Sequence, residues 1–359
     1  MTKPAQTVPL VAIVTPVYNG AAFLAETMEC VQKLDYPNLI HIVRDNASTD
    51  ATPEIITRYQ DRRVPVISAR NSKTVPMAPN WNAAVAMVPK EAVFFRILCA
   101  DDTLIPHAIS HMMEVASRDP RIGIVGSLWR AEGLCGEELP KNRQVFDSTE
   151  VLRSFLRREH RVLNGPHSLI RCTQLDARQA YYDETIAGFD SDANIRACLN
   201  NKYGFVHEEL CFCRIHEASE TATYAIRTHV HLAEWLVLLD RYGPSVLGFR
   251  EYLDCRRAYR RHYLRRLLLV RWRDKDKSLF GRHLSGLRVR DDAASWVDFV
   301  DAMAEFFVLA LTARRDRVGI SQRLPITDGT HTMYAADQIG RYGQHDAVPN
   351  RIDTMRLTY

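Results

Sequence analysis

Apolar and polar positions alternate in blocks along the first 130 residues. VPLVAIVTPV (8–17), LIHIVRD (39–45), VPVISAR (64–70), AVFFRILC (92–99) and IGIVGSLW (122–129) are short, nearly unbroken apolar runs. Such runs predict strands buried on both faces. Between them the period changes. In AAFLAETMECVQKL (21–34) Phe23, Leu24, Met28 and Val31 fall at helical spacing. Further helices are predicted over Thr52–Tyr59, around NWNAAVAMV (80–88), and from Pro106, a residue tolerated in a first helical turn. This alternation predicts a parallel sheet with helices on both faces. Sheets of that kind bind ligands beyond the carboxyl ends of their strands.

From about residue 148 the alternation weakens. VLRSFLRRE (151–159) reads as helix and NGPHSLIR (164–171) as a loop entering a strand. The stretch from 177 to 216 mixes turn, helix and strand, and from Thr228 to about residue 315 the chain is mainly helical and basic. The last forty or so residues lack periodicity and read as a tail or lid. Boundaries therefore fall near residues 225 and 320, and no internal repeat is visible.

With 359 residues, 46% of them hydrophobic, the chain can bury a large core. A net charge of +4 does not suggest a nucleic-acid binder. MTKPAQT is short and polar and runs straight into a strand, so no export signal is expected. The longest apolar stretch near the end, FFVLALTA (306–313), is about half a membrane span. Eight cysteines at irregular spacing read as reduced thiols of a cytoplasmic protein.

The chemistry concentrates at strand ends. CADDTL (99–104) closes the fourth strand with two adjacent carboxylates, which repel each other and call for a cation. TPVYNG (15–20) closes the first strand and DNASTDAT (45–52) the second. In the latter Asp45 ends the strand, and Ser48, Thr49 and Asp50 suit a helix cap. Loops after the first, second and fourth strands gather on one rim of a parallel sheet.

TPVYNG, DNASTDAT, RNSKTVPMAPNWNAAVA (70–86) and LCADDTLIP (98–106), in this order, resemble the family 2 glycosyltransferases with a GT-A nucleotide-sugar fold. The resemblance covers about residues 9–130 and extends loosely through GFDSD to CRIH, near residue 216. It implies a mostly parallel α/β sheet in a catalytic domain over residues 1–225. Within it, 1–130 would bind the nucleotide sugar and 131–225 the acceptor, with a basic helical extension over 226–320 and a tail or lid over 321–359.

The resemblance also implies roles. Thr15, Pro16 and Tyr18 would surround the base, Asp45 would contact the base or ribose, and Arg70 would approach the nucleotide. Asn80 and Asn82 match a familiar pattern without an assigned role. CADD matches the family's metal motif except that Cys99 replaces its first acid. Asp101 is then the implied ligand of Mg²⁺ or Mn²⁺, with Asp102 acting through a water or on the sugar. In AGFDSDANIR (187–196) Asp192 is the implied base, with Asp190, Asp183 and Glu184 as rivals. CRIH would bring His216 to the metal or diphosphate and Arg214 to the phosphates. His207, Cys211, Cys213 and His216 are all potential zinc ligands, but their spacing matches no common finger.

The segment 250–277 carries eleven Arg and Lys against four Asp and Glu. Tyr252, Tyr259, Tyr263, Leu267 and Val270 recur in it at helical spacing. Such a helix either lies peripherally on an anionic membrane surface or packs on the catalytic domain with its arginines solvated or paired to acids elsewhere. A homodimer through these helices is a further reading. The expectation is an inverting, metal-dependent transfer of sugar from a nucleoside diphosphate sugar to an acceptor hydroxyl. UDP-sugar is the default donor, with dTDP- and GDP-sugars open. The acceptor would be a cell-surface glycan, a lipid-linked chain, a protein or a small molecule, reached at the inner face of the membrane or in the cytoplasm. The competing reading is a nucleotide-sugar-binding protein without catalysis, kept open by Cys99.

Overall fold

The computed structural model describes residues 8–131, 134–136, 139–175, 180–219 and 221–316. It divides into two compact units, 1–223 and 224–359. The expected tail or lid, 321–359, lies outside the described residues.

The first unit is built on a ten-stranded sheet. Five strands follow the apolar runs: β1 (Leu10–Val17), β2 (Leu39–Asp45), β3 (Val66–Arg70) and β4 (Ala92–Ile97), then β6 (Ile122–Ala131) after the short β5 (Thr103–Leu104). The later strands are β7 (Leu134–Cys135), β8 (Val145–Asp147), β9 (Leu169–Arg171) and β10 (Lys202–Phe212). Along the main path the order is β3-β2-β1-β4-β9-β6-β10-β5. β3, β2, β1 and β4 are mutually parallel, and β10 runs parallel to β6. β9 is antiparallel to both of its neighbours, β4 and β6. Its first residue, Leu169, pairs with Arg96 near the end of β4 and with Val125 in the first half of β6, so the loop leading into it enters from the carboxyl side of β4.

Six helices cover this sheet: α1 (Leu24–Gln32), α2 (Thr52–Thr57), α3 (Met77–Val85), α4 (Ala108–Ser117), α5 (Ser148–Leu156) and α6 (Phe189–Cys198). One cluster unites Val11 and Ile13 of β1 with Val31, Phe94, Met112 and Val125. A second packs Leu24 and Met28 of α1 on Val17, Val43, Ile55 and Ile56. Thr15 follows the inward parity of Val11 and Ile13. It is fully buried, with its Oγ1 2.9 Å from Nε2 of the buried His41. Pro16 is buried as well. The expectation that Thr15 and Pro16 surround a base is therefore corrected: both belong to the core of β1.

The second unit consists of α7 (Val230–Val246), α8 (Phe249–Trp272), α9 (Lys277–Val289) and α10 (Trp296–Asp316). Helix α8 packs against the other three and buries Tyr259, Tyr263, Leu264, Leu267 and Val270. Several of its arginines meet carboxylates within the unit. Arg256 pairs with Asp240 and Asp292, Arg260 with Asp292 and Asp298, and Arg261 and Arg265 with Glu305. Arg290 adds a second cation to Asp240. These pairs give much of the basic stretch partners within its own unit. No helix among the described residues is long and apolar enough to cross a membrane.

Burial holds the His41 imidazole down at about 3, against an ordinary value of 6.5. Above 6.5 the ring is neutral whether the chain is folded or not. Below it, the unfolded chain takes up a proton that the folded protein refuses until about pH 3, so stability falls with pH across that window. His41→Gln removes this coupling. Urea unfolding at pH 7, 6 and 5 is expected to show wild type losing up to about 1.4 kcal/mol more per pH unit than the variant.

Candidate active site at the carboxyl rim of the sheet

The turn after β4 is held from two sides. Below it, Thr27 of α1 places its hydroxyl 3.0 Å from the carbonyl oxygen of Ala100 and 2.9 Å from that of Asp102. From the segment after β10, the Arg214 backbone N–H donates to Asp102 Oδ1 at 3.0 Å. The two carboxylates diverge. Asp101 is half-buried, with Oδ2 2.9 Å from His216 Nε2. Asp102 is buried and turned inward, and burial together with the neighbouring Cys211 and Asp101 pushes it well above the usual carboxylate range. Asp102 is thereby corrected: its surroundings are protein, not sugar. Burial and both carboxylates also raise Cys99 well above an ordinary thiol, so it stays protonated.

Arg214 lies over the Phe23 ring at 4.6 Å. Its Nε donates to the Asp101 carbonyl at 3.2 Å and its Nη2 to Glu26 at 2.6 Å. The His216 ring also packs on Phe23, centroid to centroid at 4.7 Å. One turn of α1 and its entry thus supply the aromatic platform, Glu26 and the Thr27 hydroxyl. None of the three was foreseen, because the pattern around them reads only as an amphipathic helix.

Behind this rim the antiparallel β9 brings His167. Its ring lies against Trp129 at 5.4 Å, and Nδ1 is 3.6 Å from Cys213 Sγ. Cys211 and Cys213 lie on one side of the β10 end with sulfurs 3.9 Å apart. The Cys213 thiol and His167 stabilise a Cys211 thiolate, held well below the ordinary thiol range despite burial, and Cys213 keeps the proton. The other two zinc candidates lie elsewhere. His207 meets the Arg143 carbonyl at 2.8 Å, and His216 meets Asp101.

On the nucleotide side, Asp45 is only 2% exposed. Its carboxylate accepts from the Ser48 amide at 2.9 Å and from Arg70, whose other Nη donates to the Ser48 carbonyl. Asp45 therefore orients Arg70, and Arg70 is the group presented to solvent. The loops after β1 and β2 interlock. The Gly20 amide donates to Thr52 Oγ1, the Ala21 amide to Asp50, and the Thr49 amide to Asn19. Tyr18, 52% exposed, projects from this frame.

On the acceptor side, Asp192 is 0% exposed and its Oδ2 accepts from Arg196 Nε at 2.8 Å. A carboxylate so enclosed and so paired cannot reach an acceptor hydroxyl, and the reading of Asp192 as base is corrected. Asp190, two residues earlier, is half-buried, and its charge is felt by Cys99. Burial raises its carboxyl above the ordinary range. Of the other rivals, Asp183 accepts from the Thr185 amide and hydroxyl, and Glu184 from Asn82. Asn82 also exchanges hydrogen bonds with the Tyr182 backbone, at 3.0 and 2.7 Å, and so ties α3 to this loop. Asn80 accepts from Asn71 inside an amide network behind the β3–α3 loop.

Asp101 and His216 fit a hard divalent cation. Their facing atoms lie at one point of the rim, and a pair of protein ligands leaves positions for phosphate oxygens and water, as Mg²⁺ and Mn²⁺ prefer. Cys99 lies close enough to Asp101 and Asp102 to join them, but a protonated thiol is a poor ligand for such ions.

A half-parallel sheet with its polar loops on one rim and flanking helices is an α/β fold of the GT-A type. Residues 12–179 match the model of the family described as glycosyl transferase family 2. That match takes in just under half of the chain, and this part of it is similar to members of that family. The chain is 27% identical over 157 residues to glycosyltransferase GlyG of Streptococcus pneumoniae, an alignment covering 38% of this chain and 51% of GlyG. It is 27% identical over 150 residues to the GalNAc(5)-diNAcBac-PP-undecaprenol beta-1,3-glucosyltransferase of Campylobacter jejuni, covering 41% of this chain and 48% of that enzyme. The chain thus spans about half the length of these relatives. Among solved structures, S. aureus TarS 1–349 in complex with UDP superposes with a TM-score of 0.56 at 16% identity, over 89% of this chain and 95% of that one. The mannosyltransferase PcManGT from Pyrobaculum calidifontis, in complex with GDP-Man and Mn²⁺, gives 0.55 at 16% identity, over 88% and 86%. At such identities the likeness establishes the fold.

Thr27→Val keeps the shape of the side chain and removes the hydroxyl beneath the turn. Chemical denaturation is expected to show a loss of about 1–3 kcal/mol, the cost of leaving buried carbonyls short of a donor.

Proposed function

We propose that this protein is a glycosyltransferase that moves a sugar from a nucleoside diphosphate donor, a UDP-sugar by default, to an acceptor hydroxyl with inversion, and that the reaction depends on a divalent cation. The observation that carries the reading is the Asp101–His216 pair, 2.9 Å apart on the rim and flanked by the Arg214 guanidinium. Tyr18 and Arg70, with Asp45 behind, would flank the nucleotide. Asp101 and His216 would hold Mg²⁺ or Mn²⁺, which supplies charge stabilisation to a departing diphosphate. Arg214 would add its own charge on the same side.

Asp190 is proposed as the base. Its half-burial and the proton affinity raised by that burial suit a group that accepts a proton from an acceptor hydroxyl. It takes the proton of the acceptor hydroxyl as that oxygen attacks the anomeric carbon and the bond to the diphosphate breaks. Asp192, paired with Arg196, would anchor the first turn of α6 beneath it. The acceptor is read as a glycan, lipid-linked or small-molecule hydroxyl in cell-surface glycan synthesis. Membrane contact by 250–277 is not needed for this chemistry, since several of the arginines of α8 have partners of their own.

Screening nucleotide sugars for thermal stabilisation, and then for hydrolysis, tests the reading and separates it from binding without catalysis. Stabilisation by one donor that strengthens with Mn²⁺, together with slow release of free sugar, is the expected result. Binding without any hydrolysis favours the non-catalytic reading. Asp190→Asn should keep donor binding and lose about 10²–10⁴-fold in transfer. Asp101→Ala should abolish the Mn²⁺ dependence of donor binding. Asp192→Asn should instead cost about 3–5 kcal/mol of folding stability, as breaking a buried pair does. Transfer at the wild-type rate by Asp190→Asn would remove Asp190 from the role.

A further inference from the structure

We infer that Cys211, Cys213, His167 and Asp102 form a closed binding site for a zinc-type cation, separate from the Asp101–His216 rim and independent of the proposed transfer chemistry. Their four ligand atoms lie within 4.8 Å of one another. Two of the edges that a zinc tetrahedron needs have the required length. Zn–S bonds of about 2.3 Å and Zn–N bonds of about 2.0–2.1 Å put two sulfurs about 3.8 Å apart and a sulfur about 3.6 Å from a nitrogen. The corresponding separations here are 3.9 Å between the sulfurs and 3.6 Å from Cys213 Sγ to His167 Nδ1. Two thiolates, an imidazole and a carboxylate suit a softer ion than the Mg²⁺ or Mn²⁺ of the rim.

A second observation points the same way. Arg96 of β4 is 0% exposed. Its Nη1 donates to the His167 carbonyl and contacts Met112 Sδ at 3.3 Å, while its Nε has no partner. Among the described residues no carboxylate lies within ion-pair distance of it. A buried guanidinium is costly unless an opposite charge compensates it. Cys211 and Asp102 both feel the Arg96 charge. A divalent cation held by two thiolates and one carboxylate leaves a net charge of about −1 on the site, so binding keeps the compensation that the Cys211 thiolate gives Arg96.

The backbone positions the imidazole. Gly165 has φ 72°, and a Cβ on it would stand 3.0 Å from His167 Nε2. Asn194 of α6 donates to the Leu163 and Gly165 carbonyls at 2.9 and 2.8 Å, fixing the turn. Binding needs no oxidant: the thiol protons still present leave to solvent as the sulfurs take the cation. The ion would clamp the end of β10 and the β9 entry onto Asp102, and so brace the turn carrying Asp101.

The full-length chain, purified without chelator, is expected to contain one zinc per molecule. After chelation and titration with Co²⁺, it should show thiolate-to-cobalt charge transfer and the intense ligand-field bands of a tetrahedral site. Cys213→Ser should lose the charge-transfer band and bring zinc content close to zero. His216→Ala and the exposed Cys135→Ser should keep both signals. Circular dichroism of Cys213→Ser separates loss of metal from loss of fold, and the wild-type cobalt spectrum does not depend on any variant. Cobalt uptake without charge transfer, retention of the band by Cys213→Ser, or a Cys211–Cys213 disulfide revealed by a mass two hydrogens lighter would each overturn the assignment. None of these readouts uses a sugar donor, so failure here is distinct from failure of the transfer reading.

Discussion

Two carboxylates on consecutive residues cannot both face one solvent-poor hollow, and the site depends on how Asp101 and Asp102 are kept apart. The turn sends one side chain out and the other in. Asp101 finds His216 on the rim, while Asp102 finds the Arg214 amide and the thiols beneath. Thr27 makes this divergence durable by gripping the carbonyls on either side of Asp101. The Arg214 side chain closes the arrangement on the helix that carries Thr27. One outward and one enclosed carboxylate are thus obtained from neighbouring residues of a single turn.

The sheet was largely legible, because buried parallel strands leave long apolar runs with polar residues at their ends. LIHIVRD coincides with β2, and AVFFRIL contains β4. The later strands were harder to read. β9 is three residues long and β8 is another three, too short to show a period. The antiparallel insertion of β9 between β4 and β6 has no local signal, since strand order depends on contacts distant in sequence.

The site was legible by position and less so by orientation. Asp101, His216, Arg214, Tyr18 and Arg70 lie on the rim that the strand ends define. Thr15 and Asp192 carry the expected residue types but point the other way: Thr15 by the two-residue alternation of β1, and Asp192 by the helical step that aims it at Arg196. Parity along β1 could have excluded Thr15, given the apolar Val11 and Ile13 on the same side. His167 could not have been found so, because only the reversal of β9 carries it to the thiols. Its one signal was the Asn-Gly-Pro turn immediately before it, a strongly shaped stretch with no helix or hairpin to serve.

The same reversal bears on how the chain assembles. β4 and β6 are separated by 24 residues in sequence yet never touch as ladder partners, since β9 fills the slot between them. Until the ribosome has released the chain past residue 171, β4 offers a bare edge and β6 has no route into the sheet. Neither half can then mature alone: three residues threaded late complete the wall on which both depend, and in the interval those open edges are what a chaperone would have to shield.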